Sequence, residues 1–144
     1  GTNDKHYPLK SYAQTYKLVQ GPVTLRIKAG MRHSHLHGWA PLEIGRFIDQ
    51  YLLKKDAMVE LAEPVLHAGV VSCAFPAQQS PSHAVLQYTS DRGPLVDRKW
   101  KSIEASLATG LVSAKLPADA TIWCLAVTGE DDAVVTSEVM FRRP

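Results

Sequence analysis

Ile44-Gly-Arg-Phe-Ile-Asp-Gln-Tyr-Leu-Leu-Lys-Lys-Asp56 is the stretch in which the hydrophobic period of the chain changes. Ile44, Phe47, Ile48, Tyr51 and Leu52 recur at i, i+3, i+4, i+7 and i+8, the one-sided stripe of a helix that Pro41 is placed to start. After Asp56 the apolar residues fall instead into short runs with a period of two, divided by Pro, Gly and Asp turns. The switch at Lys54-Lys-Asp56 therefore predicts two parts, residues 1–55 and 56–144.

Working outward toward the N-terminus, Pro8 suits the first turn of a helix over 8–17, with Leu9, Tyr12, Ala13 and Tyr16 on one face and Gly21 as a later stop. Val23, Leu25 and Ile27 alternate with Thr24, Arg26 and Lys28, which predicts a strand with one buried face. The first part thus reads helix, strand, loop, helix. A single strand would carry two open edges and needs a partner. The absent remainder of a sheet, the second part of the chain, or a homodimer through the unpaired strand 23–28 could each supply it.

Toward the C-terminus, strands are expected near 57–62, 69–75, 84–89, 98–103, 111–115, 121–128 and 134–142, with the clearest turns at Ala118-Asp-Ala120 and Gly129-Glu-Asp-Asp132. About seven short strands at this spacing predict an all-β, immunoglobulin-like sandwich. The fold class expected for the whole is α+β. Cys73 and Cys124 each sit in an apolar run, so they could bridge two sheets; two buried free thiols is the favoured reading, because Cys is among the most buried residues even when unpaired. Trp123 reads as core. Trp39 reads as the seat of the second helix, and Trp100 as a ring on a sheet face against Arg98. Sugar stacking by these three rings is the weaker alternative.

The net charge of +2 is small and its Lys and Arg are scattered, with Lys54-Lys55 and Arg142-Arg143 reading as solvated element ends, so nucleic acid is not an expected partner. No run approaches the ~18 apolar residues of a membrane span. With no Met before it, Gly1 reads as a cut site or a tag remnant.

Met31-Arg-His-Ser-His-Leu-His-Gly-Trp39 concentrates the chemistry, with His33, His35 and His37 at alternate positions. A general base at neutral pH is an uncharged imidazole held in one tautomer by a carboxylate on its other nitrogen. Asp4, which opens a loop before the first helix, and His33, which follows the strand, can reach each other at one end of the fold. A rival reading takes the three histidines and Asp4 as Zn or Cu ligands on an extended segment, all facing one way. So short-range a set is sterically awkward as a tetrahedral site, and no metal or cofactor is expected. His6, His67 and His83 read as surface or turn residues.

The wording of these segments carries a resemblance. Gly1-Thr-Asn-Asp-Lys-His-Tyr-Pro8, Gly21-Pro-Val-Thr-Leu-Arg-Ile27, Met31-Arg-His-Ser-His35 and Gly38-Trp-Ala-Pro-Leu-Glu-Ile44 resemble the C-terminal quarter of bacterial α/β-hydrolases of the acetyl xylan esterase and dienelactone hydrolase-like group. By that likeness Asp4 is the triad acid and His33 the triad base, with His35 as the competing choice. Ala84-Val-Leu-Gln-Tyr-Thr-Ser-Asp-Arg-Gly93, Asp97-Arg-Lys-Trp100 and Ser137-Glu-Val-Met-Phe141 look like the fibronectin type III-like appendage of some such esterases. The resemblance implies a serine esterase acting on a polysaccharide or another ester, in an extracellular or periplasmic setting. The 144 residues contain no G-x-S-x-G nucleophile elbow, so the chain alone is expected to be inactive. The alternative is a noncatalytic interaction or carbohydrate-associated module that keeps the histidine loop as structure.

Overall fold

Thr121-Ile-Trp-Cys-Leu-Ala-Val127 is apolar on both of its faces, and the fold is organised around the strand it forms. The computed structural model describes residues 1–142. Among these residues nine strands make two antiparallel sheets: β1 (Val65–His67), β2 (Val70–Ala74), β3 (His83–Thr89), β4 (Lys101–Glu104), β5 (Ser106–Ala108), β6 (Leu111–Lys115), β7 (Ile122–Thr128), β8 (Val134–Thr136) and β9 (Met140–Phe141). One sheet has the order β1-β2-β6-β5 and the other β4-β3-β7-β8, with β9 also on β7. Three short helices lie before them, α1 (Leu9–Thr15), α2 (His35–Trp39) and α3 (Leu42–Leu52). The whole is α+β with a β-sandwich-like core.

Alternation along the strands builds that core. Val71 and Cys73 of β2 and Val112 and Ala114 of β6 face Ala84, Leu86 and Tyr88 of β3 and Trp123, Leu125 and Val127 of β7. Each fully buried Val or Leu contributes about 1.5–3 kcal/mol. The β1–β2 hairpin closes through Ala68 and Gly69, both at positive φ, between the paired His67 and Val70. Two positive φ values in succession are the requirement of a two-residue hairpin turn, and Gly69 meets it without strain.

The outer face of β7 is covered too, which explains why its run is continuous rather than alternating. Leu9 of α1 and Ile27 pack with Ile122, Cys124 and Val139 into a second cluster, supported by Tyr12, Trp100 and Phe141. Residues on both sides of Asp56 therefore share this cluster. Segment 23–28 is extended, as its alternation indicates, but it joins neither sheet. Leu25 C=O accepts the Thr136 N–H at 2.7 Å, and the Ile27 N–H donates to Thr136 Oγ1 at 3.1 Å. One edge of the segment is thus occupied by β8 of the same chain.

Several expectations are corrected. Residues 57–62 form no strand; the segment is tied by the Ala62 N–H to Ala74 C=O and by Gln79, whose side chain bonds Met58 and Glu60. Residues 134–142 divide into β8 and β9, and β1 and β5 are additional. The predicted first helix is α1 followed by a 3₁₀ turn at Tyr16–Leu18. Trp39 is 78% exposed and seats nothing, whereas Trp123 is 2% exposed. Arg98 donates to Gly93 C=O and Thr121 Oγ1 rather than covering Trp100; the cation over an indole is Arg142, 5.8 Å from the Trp123 ring. Arg143 lies outside the described residues.

Cys73 and Cys124 are both buried and free. They belong to different clusters, Cys73 between the sheets and Cys124 under the N-terminal part, so β7 separates them. Burial pushes the Cys73 thiol up to about 11 and the Cys124 thiol up to about 12.

Candidate active site

The loop Thr2-Asn-Asp4 is held before any chemistry is considered. Asn3 Nδ2 donates to Val96 C=O at 3.0 Å and to Arg98 C=O at 2.8 Å, pinning the loop to the β3–β4 connection. Thr2 Oγ1 donates to Asn3 Oδ1 and accepts the Gly30 N–H, both at 2.8 Å. Gly30, at φ 72, makes the tight turn that ends segment 23–28 and sends the chain back past Thr2 toward His33. Two segments distant in sequence are in this way fixed side by side.

Asp4 is 7% exposed and uses its two oxygens for different tasks. Oδ1 accepts the backbone N–H groups of His6 at 2.8 Å and Tyr7 at 3.0 Å, an Asx-type turn that fixes the carboxylate plane. Oδ2 lies 2.9 Å from His33 Nδ1. Burial is the largest single influence on the carboxyl and pushes its pKa up. The hydrogen bonds from Tyr7, His33 and His6 together outweigh it and hold the group below the ordinary carboxylate value. Asp4 is accordingly an ionised acceptor at neutral pH, and it places the shared proton on His33 Nδ1.

The His33 side chain is 32% exposed and Nε2 bonds no described residue. Its ring is flanked by His6 at 4.6 Å, Tyr7 at 5.7 Å and His35 at 5.6 Å between centroids. Beside it is a hollow of about 310 Å³ lined by Asn3, Lys5, Arg32, His33, Val96 and Asp97. An imidazole with Nδ1 on a carboxylate and Nε2 unbonded can take a proton from a hydroxyl and return it to a leaving group.

The structure thus brings together Asp4 and His33; His35 stands at the edge of the His33 ring without bonding Asp4. The alternate histidines do not share one face of an extended segment. Ser34 caps α2 through its hydroxyl, which accepts the His37 N–H at 3.2 Å, so His35 and His37 are helical and exposed. Among the described residues no group of three or more His, Cys, Asp and Glu is arranged to hold a metal ion. Sequence reasoning passed over Thr2, Asn3, Gly30 and Tyr7, which build and flank the pair; His6, read as a surface or turn residue, is exposed and also flanks the His33 ring. The Asn-Asp dipeptide before Pro8 was the available signal, since both side chains favour local turns.

No family model matches the chain, and no curated protein matches it. The described residues also contain no helix long and apolar enough to cross a membrane.

Proposed function

We propose that residues 1–55 are the acid–base end of a serine α/β-hydrolase with esterase chemistry, and that residues 56–144 are an immunoglobulin- or fibronectin type III-like appendage. The observation that carries this reading is the Asp4–His33 pair: a carboxylate fixed by two backbone N–H groups, 2.9 Å from Nδ1 of an imidazole whose other nitrogen is unbonded. In this reading a serine hydroxyl from outside these 144 residues gives its proton to His33 Nε2 as its oxygen attacks the ester carbonyl. Asp4 stabilises the imidazolium that forms. His33 then returns the proton to the departing alkoxide, and water repeats the cycle on the acyl-enzyme.

A further observation supports it. α3 has the apolar stripe of a packed helix, yet its buried residue is Glu43, while Ile44, Ile48, Tyr51 and Leu52 are exposed. That side of α3 suits additional structure of the kind a hydrolase sheet provides. The competing, noncatalytic reading rests on the Asx turn, because Asp4 organises residues 4–7 whether or not His33 ever moves a proton.

The two separate on activity in a longer product. Expressing the chain with any in-frame upstream coding sequence should yield a protein labelled by a fluorophosphonate and active on acetyl esters, with kcat lower by about 10³-fold or more in His33→Ala. The 144-residue chain should be inert to both. A longer product without a reactive serine, or one whose activity survives His33→Ala, would support the noncatalytic reading instead.

A further inference from the structure

The hollow beside His33 does not end at Asp97. A larger groove of about 740 Å³ shares Asn3, Arg32, Val96 and Asp97 with it and continues along segment 26–30 to Lys99, Trp100 and Ser102. Five cations line that groove, Arg26, Lys28, Arg32, Arg98 and Lys99, against the single carboxylate of Asp97. Two of the five are engaged: Arg26 pairs with Glu43, and Arg98 holds Gly93 C=O and Thr121 Oγ1. Lys28, Arg32 and Lys99 are exposed, and their charged ends form no ion pair or hydrogen bond with a described residue. Like charges gathered in a cleft repel one another and focus a positive potential there, an arrangement that an anionic ligand offsets.

We propose that this groove binds an acidic polysaccharide, a chain of uronate sugars, and delivers an esterified unit of it to His33. The delivery half rests on the hydrolase reading above; the binding half does not. The Trp100 ring and the polar side chains of Gln87 and Ser102 on the groove wall suit a ligand that has ring faces and hydroxyls between its charges. Asp97, the one carboxylate lining the groove, can accept a hydrogen bond from a sugar hydroxyl between the charges of such a chain.

Calorimetric titration of the 144-residue chain at low salt tests the inference, with a short oligogalacturonate, a neutral xylo-oligosaccharide and an oligothymidylate of similar length as probes. The expected result is binding of the oligogalacturonate over the other two, weakened by about tenfold or more in the double variant Lys28→Ala, Lys99→Ala. Lys115→Ala, which removes a positive charge on the other sheet, should leave it unaltered. No binding, equal binding of the neutral sugar, equal or tighter binding of the oligothymidylate, or an unaffected double variant would overturn the proposal. Because no turnover is read, an inert longer product with intact binding would sink the hydrolase reading and leave the groove standing.

Discussion

Glu43 Oε1 lies 3.2 Å from Arg26 Nε and also accepts the Val134 N–H at 2.7 Å, joining α3, segment 23–28 and β8 at one buried carboxylate. An isolated buried charge is costly, so each of these groups depends on the others. The pair explains how a helix with most of its apolar stripe in solvent is nevertheless held against the sandwich. Phe47 adds a partly buried contact with the inter-sheet core.

Glu43→Ala should therefore destabilise the chain by about 2–3 kcal/mol in urea unfolding, since it strands the Arg26 charge and leaves the Val134 N–H without its acceptor. Glu43→Gln keeps an acceptor for that N–H and should cost about half as much. A loss below about 0.5 kcal/mol in both would show that the junction does not support the fold.

Acid should reveal Asp4. Its folded-state pKa lies below the ordinary value of 3.8, so folding favours the ionised form. The associated stability is fully present above 3.8 and is lost as the pH falls through the lower folded value. Melting temperature measured from neutral pH into acid should drop on this limb in the wild type and drop less in Asp4→Asn. An identical acid limb in the two proteins would mean that Asp4 is not held as described.

The two thiols should be silent in the folded protein. With both buried, pushed up to about 11 and about 12, and separated by β7, neither is accessible as a thiolate at neutral pH. Ellman's reagent should label them only on unfolding, and mild oxidation should leave the intact mass without an internal bridge. Rapid labelling of the native chain, or the loss of two protons, would contradict the placement of Cys73 and Cys124 in separate clusters.

The tryptophans should behave oppositely. Trp123→Ala opens a cavity in the inter-sheet core and should cost about 3–5 kcal/mol. Trp39→Ser, at a ring that is 78% exposed, should change stability by about 0.5 kcal/mol or less in either direction. Paired denaturation curves decide both, and comparable losses would refute the exposed position of Trp39.

Long, strongly patterned elements were legible in the sequence because burial imposes their period. The stripe from Ile44 to Leu52 is α3, and the runs at 111–115 and 121–128 are β6 and β7 within a residue. The three-residue strands β1 and β5 were not; Val65–His67 is exposed throughout and cannot show alternation. At 57–62 the buried residues are the adjacent Met58 and Val59, and at 23–28 Ile27 is buried while Val23 is exposed, so neither segment presents the single buried face its sequence alternation predicts; extended chain becomes a strand only where a neighbour supplies backbone partners, and that is a tertiary fact. The helical turn at His35–Trp39 was signalled by Ser34, a good N-cap, and was masked by the absence of an apolar stripe after it. The meeting of Asp4 with His33 came from resemblance, not from pattern. The contacts of Asn3 with Val96 and Arg98, which hold Asp4 in place, connect residues too far apart in the chain for any local signal.

The central claim is that Asp4 holds His33 with its proton on Nδ1 and Nε2 bare, ready to accept another. Long-range proton–nitrogen correlation spectra of the labelled chain, recorded in alkaline buffer, read the tautomer of the uncharged ring directly. His33 should show a protonated Nδ1 and an unprotonated Nε2, and Asp4→Asn should shift the population toward the other tautomer. A proton on His33 Nε2 in the wild type, unchanged by Asp4→Asn, would contradict the claim and leave the pair without a catalytic geometry.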